Sequence, residues 1–315
     1  MIEISLYQPG MHQEWDDFAR QSRNATFLLQ RGYMDYHSDR FSDFSLVART
    51  PQGRLAGLLP ANRAGDTVLS HQGLTYGSWI VPFRHFDATV MMEITTAAIG
   101  FLKDNGVSRL VYKPIPYIYH RYPADDDIYA LWRHGARLAE CNISTAIDLV
   151  NPIPYDRGNK SGLKAAQRAG LKVEQADAAY PEFWQLLSSV LEQRHSTKPV
   201  HTLAEIELLR SRFPDHIKLY TATLDGTVVA GTVMFADGPV AHSQYIASSD
   251  EGRRVHALTA VFARVAADAT AMGRRYLDFG ISNEDHGRLL NTGLVQQKAR
   301  LGGRGVAYNT FTLDL

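Results

Sequence analysis

The stretch Ile217–Ala236, IKLYTATLDGTVVAGTVMFA, alternates apolar and polar residues on both sides of Asp225-Gly226. Period-two alternation marks a half-buried strand, and a tight Gly-containing turn between two such runs predicts an antiparallel hairpin. The pattern has an earlier counterpart at Phe44–Ala61, FSLVARTPQGRLAGLLPA, turning at Gln52-Gly53. Working outward, each hairpin follows a helix-like stretch, around Trp15–Arg20 and around Phe183–Gln193. Each then leads into a further strand, DTVLSHQGLTYG (Asp66–Gly77) or PVAHSQYIAS (Pro239–Ser248). A long amphipathic helix comes next and ends at Gly106 or Gly273, a glycine suited to the C′ position. Apolar strands follow at once, VSRLVYKPI and RRYLDFGIS, and the halves close on ISTAIDLV and VAYNTFTLDL.

This order, appearing twice, is a diverged internal duplication. Hairpins with a single crossover helix favour a mixed α/β (α+β) architecture over a doubly wound parallel sheet. Two prolines and a glycine interrupt the pattern in NPIPYDRGNK (Asn151–Lys160), so domains 1–152 and 153–315 are expected.

Composition narrows the class. The chain has 315 residues, and 33 basic residues balance 33 acidic ones, leaving no global field for DNA or an anionic membrane. The single cysteine, Cys141, excludes a disulfide framework and a cysteine-rich zinc site. The start, MIEISLYQPG, alternates like a strand and lacks the pattern of a signal peptide. No apolar run approaches the roughly 20 residues that span a bilayer. A cytoplasmic protein without membrane insertion is expected.

The duplicated order resembles tandem GNAT-type acyltransferase domains, as in the FemAB-like peptidyltransferases. Three pieces of the second half carry the resemblance: the basic segment Arg157–Val173, the strand YLDFGIS (Tyr276–Ser282), and LNTGLVQQKARLGG (Leu290–Gly303). It implies two GNAT-like domains, each a mixed sheet flanked by helices, with an acceptor-side first domain and a donor-side second. The helical-hairpin arm of many peptidoglycan-building members is missing. The superfamily's pyrophosphate loop is degraded to DEGRRVHA (Asp250–Ala257), with one glycine at the wrong spacing. Gly252, Arg253 and Arg254 with the following helix N-terminus remain candidates to hold the phosphates of acetyl-CoA; a solvated charged turn is the competing reading.

Acyl transfer to an amine needs a neutral nucleophile, donors for the developing oxyanion and a proton for the leaving group. The resemblance implies that the donor arm lies where two central parallel strands splay, here Ala241–Ala247 and Tyr276–Gly280. Tyr245 on the first of these is a candidate contact or acid. The usual GNAT acid, a tyrosine on the helix after the fifth strand, has no counterpart between Ser282 and Gly303. Lys298 matches the lysine with which the Fem-type closing motif neutralises acyl-transfer charge. Asn283 and Asn291 are candidate ligand contacts or helix caps.

In the first half, SHQGLTYG (Ser70–Gly77) and KPIPYIYHRYP (Lys113–Pro123) are strand-end loops. Their His71, Gln72, Tyr76, Lys113, Tyr117, Tyr119 and His120 suit a sugar or nucleotide diphosphate: faces to stack on, hydroxyls to bond, a cation for phosphate. Tyrosine packing of a proline-rich turn is the alternative. In RHSTKPVHT (Arg194–Thr202), His195 and His201 are six apart with a proline between, which argues against a metal. Thr202 and Glu205 form a capping box for the next helix. Either histidine can deprotonate an amine, and His201 is the chosen catalytic candidate.

The expected activity is N-acyltransfer, acetyl from acetyl-CoA to the amine of a nucleotide-linked amino sugar in surface-glycan synthesis. A Fem-type transferase drawing on aminoacyl-tRNA and a non-catalytic glycan-precursor scaffold are the alternatives. The acceptor, the base and the oligomeric state are not legible.

Overall fold

The computed structural model describes residues 1–315, apart from the side chain of His195. The chain forms two compact units. The first comprises Met1–Asn142, Asp285–Leu289 and Ala307–Leu315; the second comprises Ile143–Glu284 and Leu290–Val306. The first unit thus ends at Asn142, ahead of the expected break near residue 152, and takes back the last nine residues.

In the first unit, β1 (Glu3–Leu6) pairs antiparallel with β2 (Leu46–Arg49), which pairs with β3 (Leu55–Leu59) across the expected turn at Gly53. Helix α1 (His12–Arg20) buries Trp15, whose indole N–H donates to Leu29 O at 2.8 Å. A second sheet holds β4 (Asn62–Ala64), β5 (Thr67–Leu69) and β6 (Arg109–Tyr112), with β5 and β6 parallel across the crossover helix α2 (Ala88–Asp104). Asp87 starts α2 by accepting from the amides of Thr89 and Val90. Its face Met91, Ile94, Ala98 and Leu102 meets Leu46, Leu59, Val68 and Leu110 in one core. Each fully buried aliphatic side chain of that size contributes about 1.5–3 kcal/mol.

One sequence expectation needs correction here. The strand expected over Asp66–Gly77 is a strand only at Thr67–Leu69, because His71 takes a left-handed φ of 62° and turns the chain. Helix α3 runs over Asp126–Arg133 and is ended by Gly135 at φ 86°.

Strand β7 (Arg137–Asp148) enters the second unit at Ile143. There the chain forms α4 (Arg157–Arg168), β8 (Lys172–Gln175), α5 (Tyr180–His195) and α6 (Leu203–Arg212), then the strands β9 (Ile217–Leu224), β10 (Thr227–Asp237) and β11 (Val240–Ser248). The short α7 (Asp250–Arg254), α8 (Ala257–Ala271), β12 (Tyr276–Ile281) and α9 (Thr292–Arg300) follow. The last strand, β13 (Arg304–Asp314), leaves this unit after Val306, and its end pairs with β6, Asp314 opposite Arg109.

The sheet of the second unit runs β7-β12-β11-β10-β9-β8, antiparallel except for β11 and β12. One face is covered by α8: Val261, Phe262 and Val265 pack on Ala241, Leu277 and Phe279, with Phe262 and Phe279 edge to face at 4.8 Å. The other face packs against α5 through Phe183 and Trp184. The Thr202–Glu205 capping box forms as expected, the Thr202 hydroxyl accepting from the Glu205 amide and the carboxylate from the Thr202 amide.

Candidate active site

Strands β11 and β12 run parallel for only three register pairs, Val240–Tyr276, Ala241–Leu277 and His242–Asp278. Beyond His242 the ladder stops. Two local features separate the strands there. On β11, Gln244 is an extra residue opposite β10, where Met234 pairs with Ser243 and Val233 with Tyr245. On β12, Gly280 takes φ 75°, a conformation that a side chain would strain.

Ala241 and Leu277 point into the α8 core, so strand alternation turns His242 and Asp278 to the opposite face. The bulge brings Tyr245 to that face as well, edge to face with Trp184 of α5 at 5.1 Å. There two of the candidate residues, Tyr245 and His201, meet. The Tyr245 hydroxyl lies 2.5 Å from His201 Nδ1 and accepts from the His201 amide at 3.2 Å. Both residues are buried. For His195 the expectation lies outside the described residues.

His242 was not singled out from the sequence, although its strand was identified, and Asp278 was given no role there. Asp278 is fully buried. One of its carboxylate oxygens faces His242 Nδ1 at 2.7 Å; the other accepts from Ser144 Oγ of β7 at 2.5 Å and from the Gly280 amide at 3.3 Å.

Lys298, on α9, lies at the end of β12 with its ammonium buried. It donates to Gly280 O at 2.8 Å, Ile281 O at 2.9 Å and Ser282 Oγ at 2.8 Å. Burial lowers it to about 8, and Asp278 acts against the shift. Three donors spent on three acceptors make this ammonium the clamp that holds β12 in its divergent path. Asn283 accepts from the Ile143 amide at 2.6 Å, and Asn291 caps α9 by accepting from the Leu294 amide at 3.0 Å.

The residues expected to hold phosphate are engaged within their own turn. Arg253 pairs with Asp250 and donates to Ser248 O, while Arg254 pairs with Glu251. Gly252 is buried so closely under Val229 O that a Cβ would collide with it. A cleft of about 370 Å3 does open beside the start of α8, between α4 and α9. Asn159, Thr259, Gln297 and Arg300 supply its polar wall, Phe262 and Leu301 its apolar one. First-turn amides of α8, side-chain amides and a guanidinium are donors that fit a phosphate-bearing arm.

The first-unit candidates are mostly spent on structure. Lys113 donates to His71 O at 2.8 Å and Leu74 O at 2.5 Å, and burial lowers it to about 8. His71 is held neutral, at about 3, by burial. Gln72 accepts from Asn62, Tyr76 bonds Thr26, and Tyr119 bonds Tyr308 at 2.8 Å. His120 Nε2 lies 2.9 Å from Ile115 O, and burial lowers its pKa. Tyr117, by contrast, is well exposed.

The splayed parallel pair, the bulge beside it and the flanking α8 and α9 define an acyl-transfer fold. Residues 157–288 match the family of acetyltransferase (GNAT) domains. The second unit therefore carries a GNAT-type acetyltransferase domain, and the fold of the whole chain is similar to that of tandem GNAT proteins. No curated protein matches the chain significantly. Among solved structures it is similar to FemX, with a TM-score of 0.71 at 13% identity, covering 99% of this chain and 97% of that one. It is similar also to L-PGS from Bacillus licheniformis (0.62, 11%, covering 98% and 92%). A tandem GNAT protein from the clavulanic acid biosynthesis pathway gives 0.51 at 13% identity, covering 100% and 98%. Among the described residues, no helix is long and apolar enough to cross a membrane. Among the described residues, no three His, Cys, Asp or Glu side chains group as metal ligands.

Proposed function

We propose that the chain transfers an acyl group, acetyl from acetyl-CoA, to the amine of a nucleotide-linked amino sugar in surface-glycan synthesis. The observation that carries the reaction type is the parallel ladder that ends at His242 and Asp278. Backbone groups released from pairing at such an opening can hold a thioester arm and meet an oxyanion. The cleft beside α8 and α9 supplies donors for the phosphate end of the arm. Tyr245, fixed by His201, gives a proton to the departing sulfur. Lys298 acts indirectly, by fixing the carbonyls of Gly280 and Ile281 beside the opening.

A second reading, an aminoacyl ester as donor, is favoured by one observation. Arg253 and Arg254 are both ion-paired inside α7, so the usual pyrophosphate loop has no counterpart here.

Thioester consumption decides between them. With acetyl-CoA and a panel of uridine- and thymidine-diphosphate amino sugars, the first reading expects release of free thiol dependent on the acceptor. It also expects acetyl-CoA to raise the melting temperature. Absence of both, with salt-sensitive binding of aminoacyl-tRNA, selects the second.

A further inference from the structure

We propose that His242 is the group that takes the proton from the attacking amine, with Asp278 and Ser144 as its positioning residues. The inference rests on the acyl-transfer reading and adds the base that the reading lacks.

His242 occupies the last rung of the parallel ladder, where the strands begin to part. Its side chain is 15% exposed, whereas that of Asp278 beneath it is 0% exposed. A carboxylate only accepts, so the imidazole proton lies on Nδ1, and Nε2 carries the lone pair. The carboxylate is itself fixed by Ser144 Oγ and the Gly280 amide, which prevents it from turning away. Gly280 lies against the ring: a Cβ there would sit 3.4 Å from His242 Cε1. The arrangement is a base with an orienting partner at the opening where the thioester would lie.

The competing candidates fit less well. His201 is buried and bonds Tyr245 through Nδ1. Lys298 is a donor to three oxygens and has no acceptor to offer.

The step balances. The neutral amine nitrogen attacks the thioester carbonyl carbon, forming C–N. The tetrahedral intermediate loses its N–H proton to His242 Nε2, and the C–S bond breaks as sulfur takes the Tyr245 proton. His242 then releases its proton to solvent, and Tyr245 regains one from solvent. The products are an amide and a free thiol.

The test uses the full chain with acetyl-CoA and the panel of nucleotide amino sugars. His242→Ala and His242→Gln are expected to lower kcat about 10²–10⁴-fold. KM should hold within about threefold, and imidazole should rescue the alanine variant. Asp278→Asn should lower kcat by reversing the tautomer. Because that buried change endangers folding, nitrogen-15 shifts of His242 in the wild type give an independent readout, with Nδ1 protonated and Nε2 not. Wild-type turnover with His242→Ala within fivefold of it overturns this inference alone, as does a shift placing the proton on Nε2. A wild type that acylates no amine from acetyl-CoA overturns the acetyl-CoA reading and this inference together.

Discussion

Replacing Asp127 with asparagine should flatten the pH dependence of stability between about pH 4 and pH 7. Asp127 lies in the first turn of α3 with 5% of its surface exposed. Tyr112 Oη donates to it at 2.5 Å while accepting from the Trp79 amide. Burial is the largest influence and raises the carboxyl from 3.8 to about 7, and the neighbouring Asp125 and Asp126 push the same way. The sign follows. The fold keeps a proton across this window that the unfolded chain gives up, so stability falls as pH rises and the loss is complete above about 7. Three pKa units correspond to about 4 kcal/mol as a ceiling. Relaxation around the coupled Tyr112 makes about 2 kcal/mol the expected size. His37, His71 and His120, all lowered by burial, act with the opposite sign but are common to both proteins. The difference between the two proteins therefore isolates Asp127. Urea unfolding at pH 5, 6, 7 and 8 measures it. Asp127→Asn should exceed the wild type by less near pH 5 than near pH 8. Parallel curves would refute the argument.

Three further substitutions test the framework. Lys298→Met leaves the acceptors at Gly280, Ile281 and Ser282 without their donor, and should cost about 2 kcal/mol after water regains the exposed Ile281 carbonyl, read by thermal unfolding. Lys113→Met should release the His71–Leu74 turn, with faster amide exchange at Leu74 and about 1–3 kcal/mol less stability. Thr202→Ala removes the cap of α6 and should cost about 1 kcal/mol, seen as a lower urea midpoint.

The hairpins, the C′ glycines and the Thr202 cap were legible because each is local: the residues that decide them are within a few positions of one another. The turn at His71 was not, because it is fixed by the Lys113 ammonium, 42 residues away. The site divides in the same manner. Tyr245 and His201 were each named, and their contact needed the bulge at Gln244 to turn the tyrosine. The pairing of His242 with Asp278 was not legible because it is a register of two strands joined through α8, 36 residues apart. Alternation identifies such strands but not which residues face each other. Lys298 carried a family resemblance, and only the three oxygens around it show what the ammonium holds.

The return of Ala307–Leu315 to the first unit bears on biosynthesis. Leu313 belongs to the same core as Leu46 and Leu110, and Asp314 pairs with Arg109, 205 residues earlier. During translation, the N-terminal unit would leave the ribosome lacking a strand that is made only after the second unit, while the unit encoded in between can close first. Such long-range closure is slow and exposes an open sheet edge in the nascent chain.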